Sequence, residues 1–365
     1  MSAASLPEPH GRRLRVAMIA PDARPCGVAD YTDHLVRALG NHVEVAWVTS
    51  PDGFMDAMNA ADIVHIQHQY FLFGGVAPWK SVFRRLASRI TAPVVLTAHE
   101  FVSGDGNAAL RAAAGITNRM TFGRRSIRRI IVHTACDRQR MLDSGIGEQR
   151  VTVVRHGVPA LPALPLRSAA RAALGVDGKF VLTVFGFIAR KKGHLCAIDA
   201  LQRLGDNCVM IIAGGKHPDD RTGYVDEVNA RIHERDVSGR VRVTGFLAPP
   251  DVAAIYAASD LVLAPFTETS GSGSMAMAFG FGKPVMASAI APHVEINRET
   301  PGALALVPAG DPEALADSID SLQREPRALR MLTEGARRYA QAHTYARAAD
   351  ETAALYRAVL AEATE

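Results

Sequence analysis

Residues 261–287 read LVLAPFTETSGSGSMAMAFGFGKPVMA, from Leu261 to Ala287. A short apolar run leads into a Ser/Gly turn, then into a stretch of helical composition that glycines close before a second apolar run at 284–287. Strand, turn, helix and strand in so short a span make a β-α-β unit with parallel strands. Its strands are unbroken runs of Val, Leu and Ala rather than alternating ones, so both of their faces are covered.

The same alternation extends outwards. Apolar runs at 180–185, 209–213 and 241–244 predict further strands, with a helix at 195–204. Helical periodicity continues over 311–323, 326–342 and 346–361, with no strand expected beyond Leu306. Upstream, residues 159–165 read PALPALP, a tract whose prolines stop helix and strand alike, and it is expected to act as a linker. Before it, strands are expected at 14–20, 43–48, 63–66, 93–97, 129–132 and 151–154, with a loop over 21–30 and a helix at 31–39. Two doubly wound α/β units in tandem follow. A tail (1–13) precedes the first unit (14–158), the linker (159–165) and the second unit (166–342), and 343–365 form a terminal helix. A ligand is expected in a cleft between the carboxyl ends of the two sheets.

Composition narrows the class. The 365 residues are 48% hydrophobic and 21% charged, enough apolar surface for large cores and too little charge for general disorder. Four cysteines (Cys26, Cys136, Cys196, Cys208) have no metal-ligand spacing and suit a reducing compartment. No apolar run reaches transmembrane length, and the polar start lacks a signal-peptide core, so a cytoplasmic protein is expected. No G-x-S-x-G elbow or P-loop is present, and with only two Trp nothing suggests a base-stacking surface for nucleic acid.

Two motifs carry chemistry. Ser270, Gly271, Ser272, Gly273 and Ser274 lead into a helix, where free amides and the helix dipole attract an anion and small side chains let a diphosphate approach. Glu268 beside them can accept hydrogen bonds from sugar hydroxyls. After the strand at 180–185, Gly186 opens a loop that presents Arg190, Lys191 and Lys192 before Gly193, cations able to neutralise a departing diphosphate. Histidines 65, 68, 99, 133 and 156 sit at the ends of separate strands without the spacing of a metal site, so no metal is expected.

These motifs, with VTGFL at 243–247, IYAASDLVLAP at 255–265 and GKPV at 282–285, resemble the retaining GT-B glycosyltransferases of family 4, glycosyl transferases group 1. PCGVADYT (25–32), DIVHIQHQYFLFGG (62–75), VVLTAHEF (94–101) and RHGV (155–158) extend the resemblance to residues 14–360. It implies a GT-B fold of two Rossmann-like domains, the first for the acceptor and the second for the nucleotide-sugar donor, with the C-terminal helix crossing back to the first. It implies that Gly27 faces donor phosphate and acceptor, His99 and Glu268 the donor sugar, and Lys192 and Arg190 the diphosphate, with Gly186, Ser270, Gly271, Ser272, Gly273 and Ser274 around the phosphates. The implied reaction is metal-independent transfer of a hexose such as mannose, with retention, from a UDP- or GDP-sugar, with no other cofactor. The sequence departs from the family where a second acid usually holds the ribose, at Ala276 or Met277, and Phe187 replaces the usual arginine after Gly186. Glu295 is expected to cap the turn after it. A nucleotide-sugar 2-epimerase and a non-catalytic sugar-nucleotide-binding subunit stay open as alternatives.

Between Ile63 and Cys136 ten Lys and Arg face only Glu100 and Asp105. PWKSVFRRLASRI (78–90) mixes Trp79, Phe83 and Ile90 with cations, so it is expected to lie on an anionic membrane beside a saccharide or lipid-linked acceptor of polysaccharide synthesis.

Overall fold

The computed structural model describes residues 12–21, 26–49, 57–58, 60–73, 75, 83, 89–102, 107–216 and 222–364. The chain divides into two compact units, Met1–Gly157 with Tyr345–Glu365, and Val158–Thr344.

Unit 1 holds β1 (Arg15–Ile19), β2 (Glu44–Val48), β3 (Ile63–His68), β4 (Val94–Ala98), β5 (Ile127–Val132) and β6 (Val151–Val153). They form one sheet in the order β2-β1-β3-β4-β5-β6, parallel throughout. Every residue of β3 and β4 is buried, including the polar His65, Gln67 and His68 of β3, as for strands covered on both faces. Helices α1 (Gly27–Leu39), α2 (Ala108–Phe122) and α3 (Ala135–Asp143) join α12 (Tyr345–Thr364) around the sheet. In α12, Tyr345, Ala349, Ala353, Tyr356 and Val359 face Val16, Met18, Tyr31 and Leu35, so a segment distant in sequence completes this core. Thus the chain's last helix belongs to the unit formed by its first residues.

Unit 2 holds β7 (Phe180–Phe185), β8 (Cys208–Ala213), β9 (Val241–Val243), β10 (Leu261–Ala264), β11 (Val285–Ser288) and β12 (Ala305–Val307). The order is β12-β11-β10-β7-β8-β9, again parallel, so strand order reverses between β7 and β10. Around it lie α4 (Arg167–Leu174), α5 (His194–Arg203), α6 (Tyr224–Glu234), α7 (Pro249–Ala258), α8 (Gly273–Gly280), α9 (Ala291–Glu299), α10 (Pro312–Arg324) and α11 (Pro326–Ala342). Two Rossmann-like parallel-sheet units of this kind make a GT-B fold, as the sequence motifs imply.

Three expectations need correction. Helix α1 begins at Gly27 rather than Tyr31: Val28, Ala29, Tyr31 and Thr32 are all buried, and Asp30 lies in the first turn where the helix dipole favours an acid. Strand β12 lies within the apolar run Ala303–Val307, is missing from the expected strands and reaches one residue beyond Leu306. Of residues 78–90 only Phe83, Arg89 and Ile90 are described. Phe83 and Ile90 are 0% and 8% exposed in the core, Phe83 packing edge-on against His68, so these two face inwards rather than towards a membrane. Trp79, Lys80, Arg84 and Arg85 lie outside the described residues.

Candidate functional site

The site of unit 2 is built where strand order reverses, the place at which open α/β sheets bind ligands. Two loops meet there. After β7 the chain passes Gly186, makes a 3-10 turn at Arg190–Lys192 and enters α5 through Gly193. After β10 it runs through Pro265 to Ser272 and enters α8. The Thr267 amide donates to Lys191 O at 2.9 Å, tying one loop to the other.

Gly193 is what lets them close. Its φ is +69°, and a Cβ there would lie 1.9 Å from Pro265 O. Gly193→Ala is expected to destabilise unit 2 by more than about 1 kcal/mol in denaturant titrations. It should also disturb whatever the two loops hold in common, because the loops must part. Gly186, with φ +101°, has its hypothetical Cβ 2.5 Å from Lys192 Nζ, so glycine there leaves the ammonium its room.

Lys192 folds back into this space. Its Nζ donates to Phe185 O at 3.0 Å and to Ser274 Oγ at 2.9 Å, and lies 5.3 Å from the Phe266 ring centre. Desolvation, with Lys191 beside it, pushes its pKa down to about 7. Ser272 caps α8, its Oγ accepting from Met275 N at 3.2 Å and lying 3.0 Å from Ser274 Oγ. The amides of Gly273 and Ser274 then have no acceptor among the described residues. Tyr256, buried beneath, donates to Ser274 O at 3.3 Å and steadies the first turn. A half-titrated ammonium, two hydroxyls and two free amides at a helix N-terminus make a cradle for a phosphate group.

Around the cradle the expected residues divide. Glu268 is half-buried, with no hydrogen bond or ion pair to another described residue. Ser270 is half-buried, and Gly271 is exposed, its carbonyl accepting from Thr269 Oγ1 at 3.2 Å. Arg190 turns elsewhere: it pairs with Glu227 of α6, Nη1 to Oε1 3.2 Å, and lies 4.8 Å from the Tyr224 ring centre. An exposed ion pair of this kind is weak enough to be exchanged for a ligand. Ala276 is buried inside α8, and Phe187 packs edge-on against Phe246 at 5.6 Å. Glu295 lies within α9 at 8% exposure.

In unit 1 the histidines are neighbours. His99, His133 and His156 each follow the end of β4, β5 or β6, and the parallel sheet brings those ends side by side. Their rings surround Tyr31 of α1 at 4.8, 5.1 and 5.0 Å. His99 Nε2 donates to Gln67 Oε1 at 2.8 Å, and Gln67 Nε2 reaches His65 Nε2 at 3.4 Å. His65 bonds Thr97 Oγ1 at 2.8 Å and Tyr356 Oη at 2.5 Å. Burial lowers every one of these pKa values: His65 and His156 to about 3, His133 to about 4, and His99 well below its ordinary value. The cluster is therefore neutral at pH 7. Gly27 opens α1 with nothing within 4 Å of its hypothetical Cβ. Among the described residues no group of three or more His, Cys, Asp or Glu is arranged to hold a metal ion.

The sequence motifs found Lys192 and the Ser/Gly turn but not the roles of Tyr31, Gln67 and Tyr256, and they named His133 and His156 without bringing them together. The signal for the histidines was available, since His99 and His133 directly follow apolar strand runs and His156 comes two residues after one.

Comparison with known proteins finds likenesses in sequence and in fold. Residues 179–325 match the glycosyl transferases group 1 family. The chain is 32% identical over 208 residues to the D-inositol 3-phosphate glycosyltransferase of Saccharomonospora viridis, covering 53% of this chain and 47% of that protein. It is 28% identical over 326 residues to the enzyme of that name from Mycobacterium tuberculosis strain H37Ra, covering 84% and 64%. The matches thus span 47% and 64% of the length of these relatives. Among solved structures, Anabaena HepE in complex with UDP-glucose has a TM-score of 0.76 at 18% identity, covering 94% of this chain and 99% of that one. Sucrose-phosphate synthase of Thermosynechococcus elongatus has a TM-score of 0.75 at 18% identity, covering 96% and 100%. Unit 2 therefore carries a glycosyl transferases group 1 match across its phosphate cradle, within a chain of GT-B fold.

Proposed function

We propose that the chain is a retaining glycosyltransferase of family 4 that moves a hexose, mannose or another, from a UDP- or GDP-sugar to a saccharide or lipid-linked acceptor in polysaccharide or glycoconjugate synthesis. The observation that carries this reading is the Lys192–Ser274 pair at the N-terminus of α8. The family match over 179–325 and the solved complexes of HepE with UDP and UDP-glucose support it.

In this reading the diphosphate takes the free amides of Gly273 and Ser274, and Lys192 gains a proton as the anion arrives. The bond from the sugar C1 to the leaving phosphate oxygen breaks, and a bond from the acceptor oxygen to C1 forms on the same face. The acceptor proton passes to the leaving phosphate. Fixed donors aimed at the departing charge lower the barrier because they need no reorganisation. Glu268 and neutral His99 hold sugar hydroxyls, and Arg190 exchanges Glu227 for phosphate. No metal is required, since Lys192 and the amides supply the positive potential.

Proton linkage tests the site. Lys192 is half-neutral near pH 7 when free and protonated when it faces a diphosphate. Affinity for a UDP-sugar, whose diphosphate does not titrate in this range, should fall as pH rises above 7, by up to about tenfold per unit. A flat profile between pH 6.5 and 8.5 would contradict the assignment. Ala276, where the ribose acid is expected, favours a second reading in which the donor is bound or epimerised without transfer. Donor incubated with and without acceptor extracts distinguishes them: a retained-anomer glycoside supports transfer, and a 2-epimer or intact donor supports the alternatives.

A further inference from the structure

Helix α2 presents an apolar face to solvent. Its rotation is fixed by Asn118, which accepts from Tyr70 Oη at 2.9 Å and Val102 N at 3.1 Å and donates to Val102 O at 3.1 Å. Ala114, Asn118 and Phe122 thereby point inwards. At 3.6 residues per turn the opposite face consists of Ala109, Ala112, Ala113, Ile116 and Met120, and Leu110 is exposed on the flank beyond Thr117, at the start of the helix. Leu110, Ile116 and Met120 are 53%, 60% and 42% exposed. Those three are among only seven large apolar side chains so exposed in the described residues, and the other four are dispersed elsewhere in the chain. A water-facing helix face is ordinarily polar, and a clustered apolar one marks a contact surface.

The surroundings state the charge of the partner. From Asn107 to Cys136 there are six arginines and no acid. Ile116 and Met120 border a groove of about 520 Å³ that Arg119, Gly123, Gly145 and Arg150 complete. Neither Arg119 nor Arg150 has a carboxylate partner among the described residues. Arg150 donates to the carbonyls of Phe122, Arg124 and Ile127 at 3.1, 2.7 and 2.7 Å, closing the C-terminal end of α2, and Arg119 makes no such bond. Arg111, Arg125 and Arg128 are exposed close by in sequence. Within the run Arg129 pairs with Glu362 of α12; the nearest acid after it, Asp137, is buried against Thr134 and pairs with Arg140, and Glu148 is paired with Arg138. Apolar side chains flanked by Arg111 and Arg119, which have no carboxylate partner among the described residues, suit a bilayer boundary, where the first enter the acyl region and the second meet phosphates.

We propose that unit 1 docks on an anionic lipid bilayer through the outward face of α2, with Leu110, Ile116 and Met120 inserted and Arg119 on a lipid phosphate. No described helix is long and apolar enough to cross a membrane, so the contact would be peripheral. This does not depend on the donor reading, because the face belongs to unit 1 and the phosphate cradle to unit 2.

The test is flotation of the full chain with vesicles of phosphatidylcholine alone and with about 30 mol% phosphatidylglycerol, at low and high salt. The expected result is binding to the anionic vesicles only, released by salt. Leu110→Ser/Ile116→Ser/Met120→Ser should weaken it about tenfold or more, and Arg119→Gln by a smaller factor. Thermal stability and sugar-nucleotide binding should not change, because these side chains point away from the core. Should the triple variant fold poorly, Ile116→Ser alone carries the test. No binding by the natural chain, or equal binding by these variants, would overturn the proposal. So would loss of a dimer on substitution without loss of vesicle binding, which would make the face a self-association surface.

Discussion

Lys192→Ala is expected to lower sugar-nucleotide turnover by about 10²–10³-fold, the usual effect of removing one fixed donor to a developing anion. The ammonium is the only side-chain cation hydrogen-bonded to the α8 turn among the described residues, through Ser274 Oγ at 2.9 Å. Without it the diphosphate meets two amides and two hydroxyls, dipoles with no net charge. Lys192→Met keeps most of the side-chain volume and should lose nearly as much, whereas a packing role would leave that variant active. Folding stability should hold or rise in both, since removing a desolvated cation removes its burial penalty. The loss is expected mainly in kcat, with a smaller rise in KM, because charge on the leaving group grows towards the transition state.

Acidification is expected to unfold unit 1 well above the pH at which carboxylates titrate. His65, His68 and His133 are 0%, 1% and 3% exposed, and burial holds their pKa values near 3, 3 and 4. In the unfolded chain each titrates near 6.5. Between these values the unfolded state binds protons that the folded state refuses, so stability is full above pH 6.5 and falls as pH drops towards 4. At pH 5 each imidazole costs about 2 kcal/mol, or about 6 kcal/mol for the three, comparable with the whole stability of a typical domain. Fluorescence reports this unit, because both tryptophans precede Gly157 and Trp47 Nε1 donates to Ala20 O at 3.3 Å. Denaturant midpoints followed by fluorescence should fall steeply from pH 7 to 5. Equal midpoints at the two values would show that the cluster accepts protons while folded.

These two effects differ in how far the sequence discloses them. Lys192 and Ser272–Ser274 belong to local strand-turn-helix patterns, and parallel strands covered on both faces leave apolar runs that locate them. Strand β12 limits this, because residues 303–307 form an apolar run of which only Ala305–Val307 pair in the sheet. The histidine cluster is legible residue by residue but not as a cluster, since it exists only once β4, β5 and β6 lie side by side. Arg190 shows the same limit: its partner Glu227 is 37 residues away, on a helix whose orientation no spacing rule supplies. For the basic stretch of unit 1, a mixture of apolar and cationic residues cannot say which side chains the core claims. Phe83 turns inwards, whereas Ile116 and Met120 of α2, a less conspicuous segment, stay outside because Asn118 fixes the helix.

The central claim is that unit 2 holds a sugar-nucleotide diphosphate on Lys192 and the first turn of α8. Calorimetric titration of the natural chain and Lys192→Met with a UDP-hexose and a GDP-hexose at pH 8, in two buffers of different ionisation enthalpy, tests it most directly. The account predicts that one donor binds with uptake of nearly one proton, and that the substitution abolishes the uptake and weakens binding by at least about tenfold. Binding of equal strength in both proteins with no proton taken up would contradict it.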